Sequence, residues 1–305
     1  MRFLQGASLS LATALLAAAC SSSVESVATE PVDCSAPFET RTTHQYRSLD
    51  NDSDVEPNDV SLDVYASPHA SGCPVVVWVH GGSWQAGDKS TTATRTKAAH
   101  FISSGHVFVS VNYRLAGEDN DVRWPVFGDD VAAATAWVLD NAEAIGGDTE
   151  RVSLIGHSSG AHLVSIVGTN PTLLEPHGRS TADISCVVSL DSVTNDLTDP
   201  PPWETEIIDF GFPTEAALLD GSPTLQAEQH ASATSPDYLI VTRGRDERIE
   251  SSERLAATLI ANGATATVAD LSPYDHSEVS SMLGIEGEEM VTPAVDSFFA
   301  SCGTP

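Results

Sequence analysis

Positive charge is what this chain lacks. Its 305 residues hold 14 Lys and Arg against 43 Asp and Glu, a net charge of −29, and the only lysines are Lys89 and Lys97. That excludes a basic face for phosphate backbones, and no nucleic-acid partner is expected. Long apolar runs are missing too. Beyond the N-terminus nothing approaches the ~20 residues that a membrane-spanning helix needs. Cysteine is scarce, with five in all, and none forms a Cys-x-x-Cys pair or a Cys/His cluster. A metal site is therefore not expected, and nothing calls for a cofactor. The oligomeric state is left open.

The N-terminus reads as an export signal. Arg2 supplies a positive start, residues 9–19 are apolar, and Ala17-Ala18-Ala19 lead into Cys20 and three serines. Small residues before a cysteine resemble a bacterial lipoprotein signal, with 1–19 removed and Cys20 lipidated as the sole membrane attachment. The alternative is an ordinary secretory signal cut near Ala19. Residues 20–33 read as a tether, and 34–305 as one domain. Export makes the four remaining cysteines candidates for two disulfides. Three pairings exist, and Cys34–Cys73 with Cys186–Cys302 is the preferred guess. The acids from Asp50 to Asp54 resemble the start of a calcium loop. Val55 stands where that loop needs Gly and Ser61 where it closes on Glu, so calcium is not expected.

Periodicity predicts strands over 45–49, 61–66 (a second edge strand), 74–79, 107–112, 152–156, 186–190, 238–243 and 265–271. Helices are predicted over 92–103, 128–141, 159–167, 214–219, 224–230, 251–262 and 288–300. Val/Ile-rich strands alternating with helices mean an α/β fold, with a mostly parallel sheet covered on both faces.

Two stretches carry chemistry. Gly156-His157-Ser158-Ser159-Gly160 fits Gly-x-Ser-x-Gly between a strand and a helix. There the turn forces the serine into a strained conformation with its hydroxyl presented, and the next helix aims its N-terminal N–H groups at the same point. A serine becomes nucleophilic only when a base takes its proton, and a carboxylate must orient that base. In this architecture the order is Ser, acid, His. Asp246 and His276, each just beyond a late strand, fit that order with Ser158. Asp191 at the end of the preceding strand and Glu247 beside Asp246 are the alternatives for the acid. The second stretch is His80-Gly81-Gly82-Ser83-Trp84, after an apolar strand. Its glycines let backbone N–H groups approach a developing oxyanion; Gly82, Ser83 and Ser159 are the expected donors. His80 is expected to shape the loop. Trp84 either packs beneath the loop or lines the acyl pocket as a substrate-binding residue.

These motifs, with Gly87-Asp88-Lys89, Asn112-Tyr113-Arg114-Leu115, Asp130 and Leu62-Asp63-Val64-Tyr65, resemble the α/β-hydrolase superfamily over roughly residues 60–290. The branch they resemble holds acetyl and feruloyl esterases, hormone-sensitive-lipase-like esterases and kynurenine formamidases. The resemblance implies an α/β-hydrolase fold with a small cap (191–236), and catalysis by Ser158, Asp246 and His276. It also implies hydrolysis of short-chain or carbohydrate-linked acyl esters, on small molecules or polysaccharide. Formamide hydrolysis is the alternative, and a non-catalytic binding module a more distant one. Ser83 departs from the third glycine of many relatives, and Leu190-Asp191-Ser192-Val193-Thr194 from their usual segment. Both departures bear on the acyl pocket.

Overall fold

The computed structural model describes residues 32–38, 41–49 and 55–302. The expected signal, Cys20, most of the expected tether and the acids of Asp50–Asp54 lie outside the described residues.

Eight strands form one sheet in the order β1-β2-β4-β3-β5-β6-β7-β8. They are β1 (Arg41–Gln45), β2 (Ser61–Tyr65), β3 (Cys73–Val79), β4 (Val107–Val111), β5 (Gly147–His157), β6 (Cys186–Leu190), β7 (Asp237–Thr242) and β8 (Ala266–Asp270). β1 and β2 run antiparallel to their neighbours, and the rest of the sheet is parallel. The expectation of a mostly parallel, doubly covered sheet holds. One face packs on α2 (Val126–Asn141), α3 (Ser159–Thr169) and α7 (Asp246–Ala261). The other packs on α1 (Thr92–Ser103), α8 (His276–Ser281) and α9 (Val291–Ser301). Between β6 and β7 the cap region folds into short helices, α4 (Thr205–Gly211), α5 (Glu215–Asp220) and α6 (Pro223–His230).

Three of the differences from the predicted elements bear on the sheet and the site. The first strand lies four residues earlier than expected, over Arg41–Gln45. β2 is interior rather than an edge, and all five of its residues are buried. Its one acid, Asp63, tolerates this because Arg41 and Thr43 of β1 both donate to it at 2.7 Å. Thirdly, α7 begins at Asp246, five residues before the expected start.

The family-like residues lock loops to the sheet. Arg114 donates to both carboxylate oxygens of the buried Asp130, at 2.7 Å each. Asn112 accepts from the Lys89 N–H at 2.6 Å and donates to Asp88 at 3.2 Å. Burial raises the Asp88 pKa, but hydrogen bonds from Ser90, Asn112 and Asn58 outweigh it and hold the carboxyl well below the usual range. Disulfides join Cys34 to Cys73 and Cys186 to Cys302, the preferred pairing. The first pins the N-terminal segment to β3, and the second pins α9 to β6.

One buried cation has little support. The Lys97 ammonium lies 4.8 Å from the centre of the Trp78 ring, and burial lowers its pKa to about 8. A lowered lysine pKa means the fold favours the neutral amine, so the cost of charging it is complete below pH 8 and vanishes above the unfolded value. We therefore expect Lys97→Met to be more stable than wild type at pH 7, by about 2–3 kcal/mol. The advantage should shrink as pH rises from 8 towards 10.5. Denaturant midpoints of both proteins across that range check it; a pH-independent difference would contradict it.

Candidate active site

β5 ends in the turn that carries Ser158. This residue has φ 58° and ψ −124°, a strained conformation for a side chain with a Cβ. The turn closes because its glycines leave room: a Cβ on Gly156 would lie 2.3 Å from the Gly160 carbonyl oxygen, and one on Gly160 2.2 Å from that of Val79. Ser159 opens α3, so its N–H has no partner within the helix and faces the same region.

Ser158 Oγ donates to His276 Nε2 at 2.9 Å. His276 Nδ1 donates to Asp191 Oδ2 at 2.5 Å. Two of the three expected residues thus meet, and the third is replaced. Asp246 is exposed in the first turn of α7, where a carboxylate suits the helix dipole, and it takes no part in this chain of contacts. The acid beside His276 is Asp191. The register explains it. His157 of β5 pairs with Leu190 of β6, and the Ser158 N–H donates to the Leu190 carbonyl at 3.0 Å. Asp191 therefore emerges one strand away from Ser158, whereas Asp246 follows β7, two strands away. A φ of 47° at Asp191 sharpens the turn there.

Asp191 is buried, yet charged neighbours surround it. Arg243 Nε donates to Oδ2 at 2.7 Å, and an Arg248 nitrogen lies 3.5 Å from Oδ1. Burial alone would raise its pKa, but the His276 hydrogen bond, the Arg248 charge and the Arg243 hydrogen bond bring it below the usual value. Arg248 also donates to the Ser192 carbonyl at 2.5 Å and to Glu204 at 2.6 Å. The expectations from sequence missed these arginines. A signal existed: Arg243, Arg245 and Arg248 crowd six positions of a chain that has 14 basic residues in all.

His157 packs tilted against the imidazole, with ring centres 4.6 Å apart, and donates from Nε2 to the His276 carbonyl at 2.8 Å. Burial, then the neighbouring His276, lower its pKa to about 4, so at neutral pH it is an uncharged support.

The double-glycine loop folds against the serine turn. A Cβ on Gly81 would stand 2.9 Å from Ser158 Cβ and 2.7 Å from the His157 carbonyl oxygen. Gly82, Ser83 and Trp84 follow with φ 128°, 56° and 60°, and the Gly82 carbonyl accepts from Gln85 and Ala86 at 3.0 Å each. His80 Nδ1 donates to Gly81 at 2.9 Å, and its ring stacks on Tyr113, whose hydroxyl donates to the His80 carbonyl at 3.1 Å. His80 thus shapes the loop. Trp84 is 0% exposed and packs among Phe127, His162 and Phe212. Of its two expected roles the packing one holds: Trp84 is the floor beneath the loop, and its assignment as a substrate-binding residue is corrected.

A buried carboxylate orienting an imidazole against a strained serine, on this sheet, defines a serine hydrolase of the α/β-hydrolase fold. The family whose model matches, over residues 62–251, is BD-FAE, and the chain belongs to that family. It is similar to the carboxylesterase NlhH of Mycobacterium tuberculosis, 30% identical over 238 residues, 73% of this chain and 72% of that one. Among solved structures it is similar to EstE1, a thermostable carboxylesterase from a metagenomic library. The TM-score is 0.67 and the identity 25%, over 87% of this chain and 89% of that one. An esterase from Pyrobaculum calidifontis shares the fold with a TM-score of 0.66 at 23% identity, over 87% and 86% of the two chains. The chain is a serine hydrolase acting on carboxylic esters.

Gly87 tests the loop geometry. Its φ is 122°, and a Cβ there would lie 2.1 Å from His80 Nδ1. Gly87→Ala is expected to displace His80 and lower kcat for an activated ester by about 10²-fold or more, the scale of losing an oxyanion donor. Steady-state kinetics with circular dichroism check this; an intact fold with unchanged kcat would refute it.

Proposed function

We propose that the enzyme hydrolyses short-chain acyl esters, including acyl groups carried on carbohydrate, through an acyl-enzyme on Ser158. The contact of Ser158 with His276, oriented by Asp191, carries this reading. Ser158 Oγ attacks the ester carbonyl as Nε2 takes its proton. Asp191 accepts from Nδ1–H and stabilises the imidazolium that forms. The carbonyl oxygen, now negative, meets the N–H groups of Gly82, Ser83 and Ser159. His276 passes the proton to the departing alcohol, and a water activated by the same imidazole releases the acid. The lowered pKa of Asp191 keeps it ionised into the acid range.

Two observations support the substrate. The buried rings of Trp84, Trp124, His162 and Phe212 fill the space beneath the loop, and a filled floor of this kind suits a small acyl group. The His276 side chain is 38% exposed, which leaves the alcohol side open to a polymer. Export as a lipoprotein anchored at Cys20 is part of the same proposal, and the two disulfides suit an oxidising compartment.

Ser158→Ala, His276→Ala and Asp191→Asn are each expected to lower kcat/KM on p-nitrophenyl acetate by about 10³–10⁴-fold or more, and Asp246→Asn to leave it within about twofold. Acetate release from acetylated xylan should exceed turnover of N-formylkynurenine. Loss on Asp246→Asn with retention on Asp191→Asn would reverse the acid assignment; preference for the formamide would overturn the substrate.

A further inference from the structure

Behind Asp191 a line of charges continues away from the reacting atoms into the cap. Arg248, on α7, reaches Asp191, the Ser192 carbonyl and Glu204. Glu204 comes from the cap, just before α4. It is buried, and its second oxygen accepts the Thr194 N–H at 2.8 Å. One carboxylate of the cap thus ties down both the segment that follows Asp191 and the arginine behind it. Without Glu204, the Arg248 charge beside Asp191 would lose the carboxylate that offsets it.

We propose that Glu204 is a positioning residue of the catalytic site: it balances Arg248 behind Asp191, and so sets how readily His276 carries a proton during turnover. This rests on the reading of Asp191 as the acid of the triad. Other charged or titratable groups also face the imidazole or its support. Asp191 comes from β6, Arg243 from β7, His157 from β5, and Asp275 and Glu278 lie on or beside α8. Lys97 of α1 acts on His157 from behind. Glu204 and Arg243 have opposite charges and both act through Asp191, so removing them has opposite consequences. Glu204→Gln leaves the Arg248 charge unbalanced, which opposes a second positive charge on His276. Arg243→Gln removes a positive charge and favours it. A packing role for either residue would lower activity at every pH without moving the profile.

The test is the pH dependence of kcat/KM on p-nitrophenyl acetate for wild type, Glu204→Gln, Glu204→Asp and Arg243→Gln, with melting temperatures measured alongside. The acidic limb should move to lower pH in Glu204→Gln and to higher pH in Arg243→Gln, each by about half a unit or more. Glu204→Asp should return towards wild type. Limbs that stay in place, or move in the same direction, overturn the proposal. If Glu204→Gln fails to fold, Arg248→Gln, which removes the charge that Glu204 balances, decides: its limb should move to higher pH, and an unmoved or lowered limb overturns the proposal. The triad reading fails separately, through a retained rate in Asp191→Asn.

Discussion

A carboxylate without solvent is costly unless it is paired, and the site depends on how that cost is met at Asp191. Its oxygens face His276, Arg243 and Arg248, so burial leaves it ionised rather than neutral. An ionised Asp191 fixes which nitrogen of His276 bears hydrogen, and therefore which one is free to take the serine proton. The arginines come from the end of β7 and from α7, and Glu204 from the cap. The carboxylate is thus where the sheet, a helix and the cap are joined electrostatically.

The other half of the site is held by space rather than charge. Ser158 keeps its strained backbone because β5, α3 and the double-glycine loop approach more closely than side chains allow. Beneath the loop, Trp84 fills the room that the bend creates. Its ring meets Phe127 stacked at 5.9 Å and Phe212 edge-on at 5.1 Å. Strain in the backbone and density in the floor are complementary: rigid packing keeps the double-glycine loop against the serine turn.

Legibility in the sequence followed the range of the interactions. The strands β3, β5 and β6, the helix α1 and the serine turn are set by local apolar runs and by glycines a few positions apart, and they were recognisable from the residues. β2 was misplaced at an edge because its alternation included Asp63, and the partners that allow burial lie on β1. α7 starts five residues before the expected position because Asp246 and Glu247 read as candidate catalytic acids beyond the strand, although they also suit a helix N-terminus.

The sequence by itself singled out Ser158, His276 and the class of chemistry. Gly156-x-Ser158-x-Gly160 describes its own turn, and His276 is the one histidine late enough in the chain to follow the last strand. Only the tertiary structure decided which carboxylate meets His276. Asp191 and Asp246 both follow strands that point to the same rim, and nothing local separates them. The register of β5 on β6 does, by setting Leu190 opposite His157, and the arginines that steady Asp191 arrive from more than fifty residues away along the chain. Contacts of that range leave no periodic trace in sequence, because they depend on which strands lie side by side.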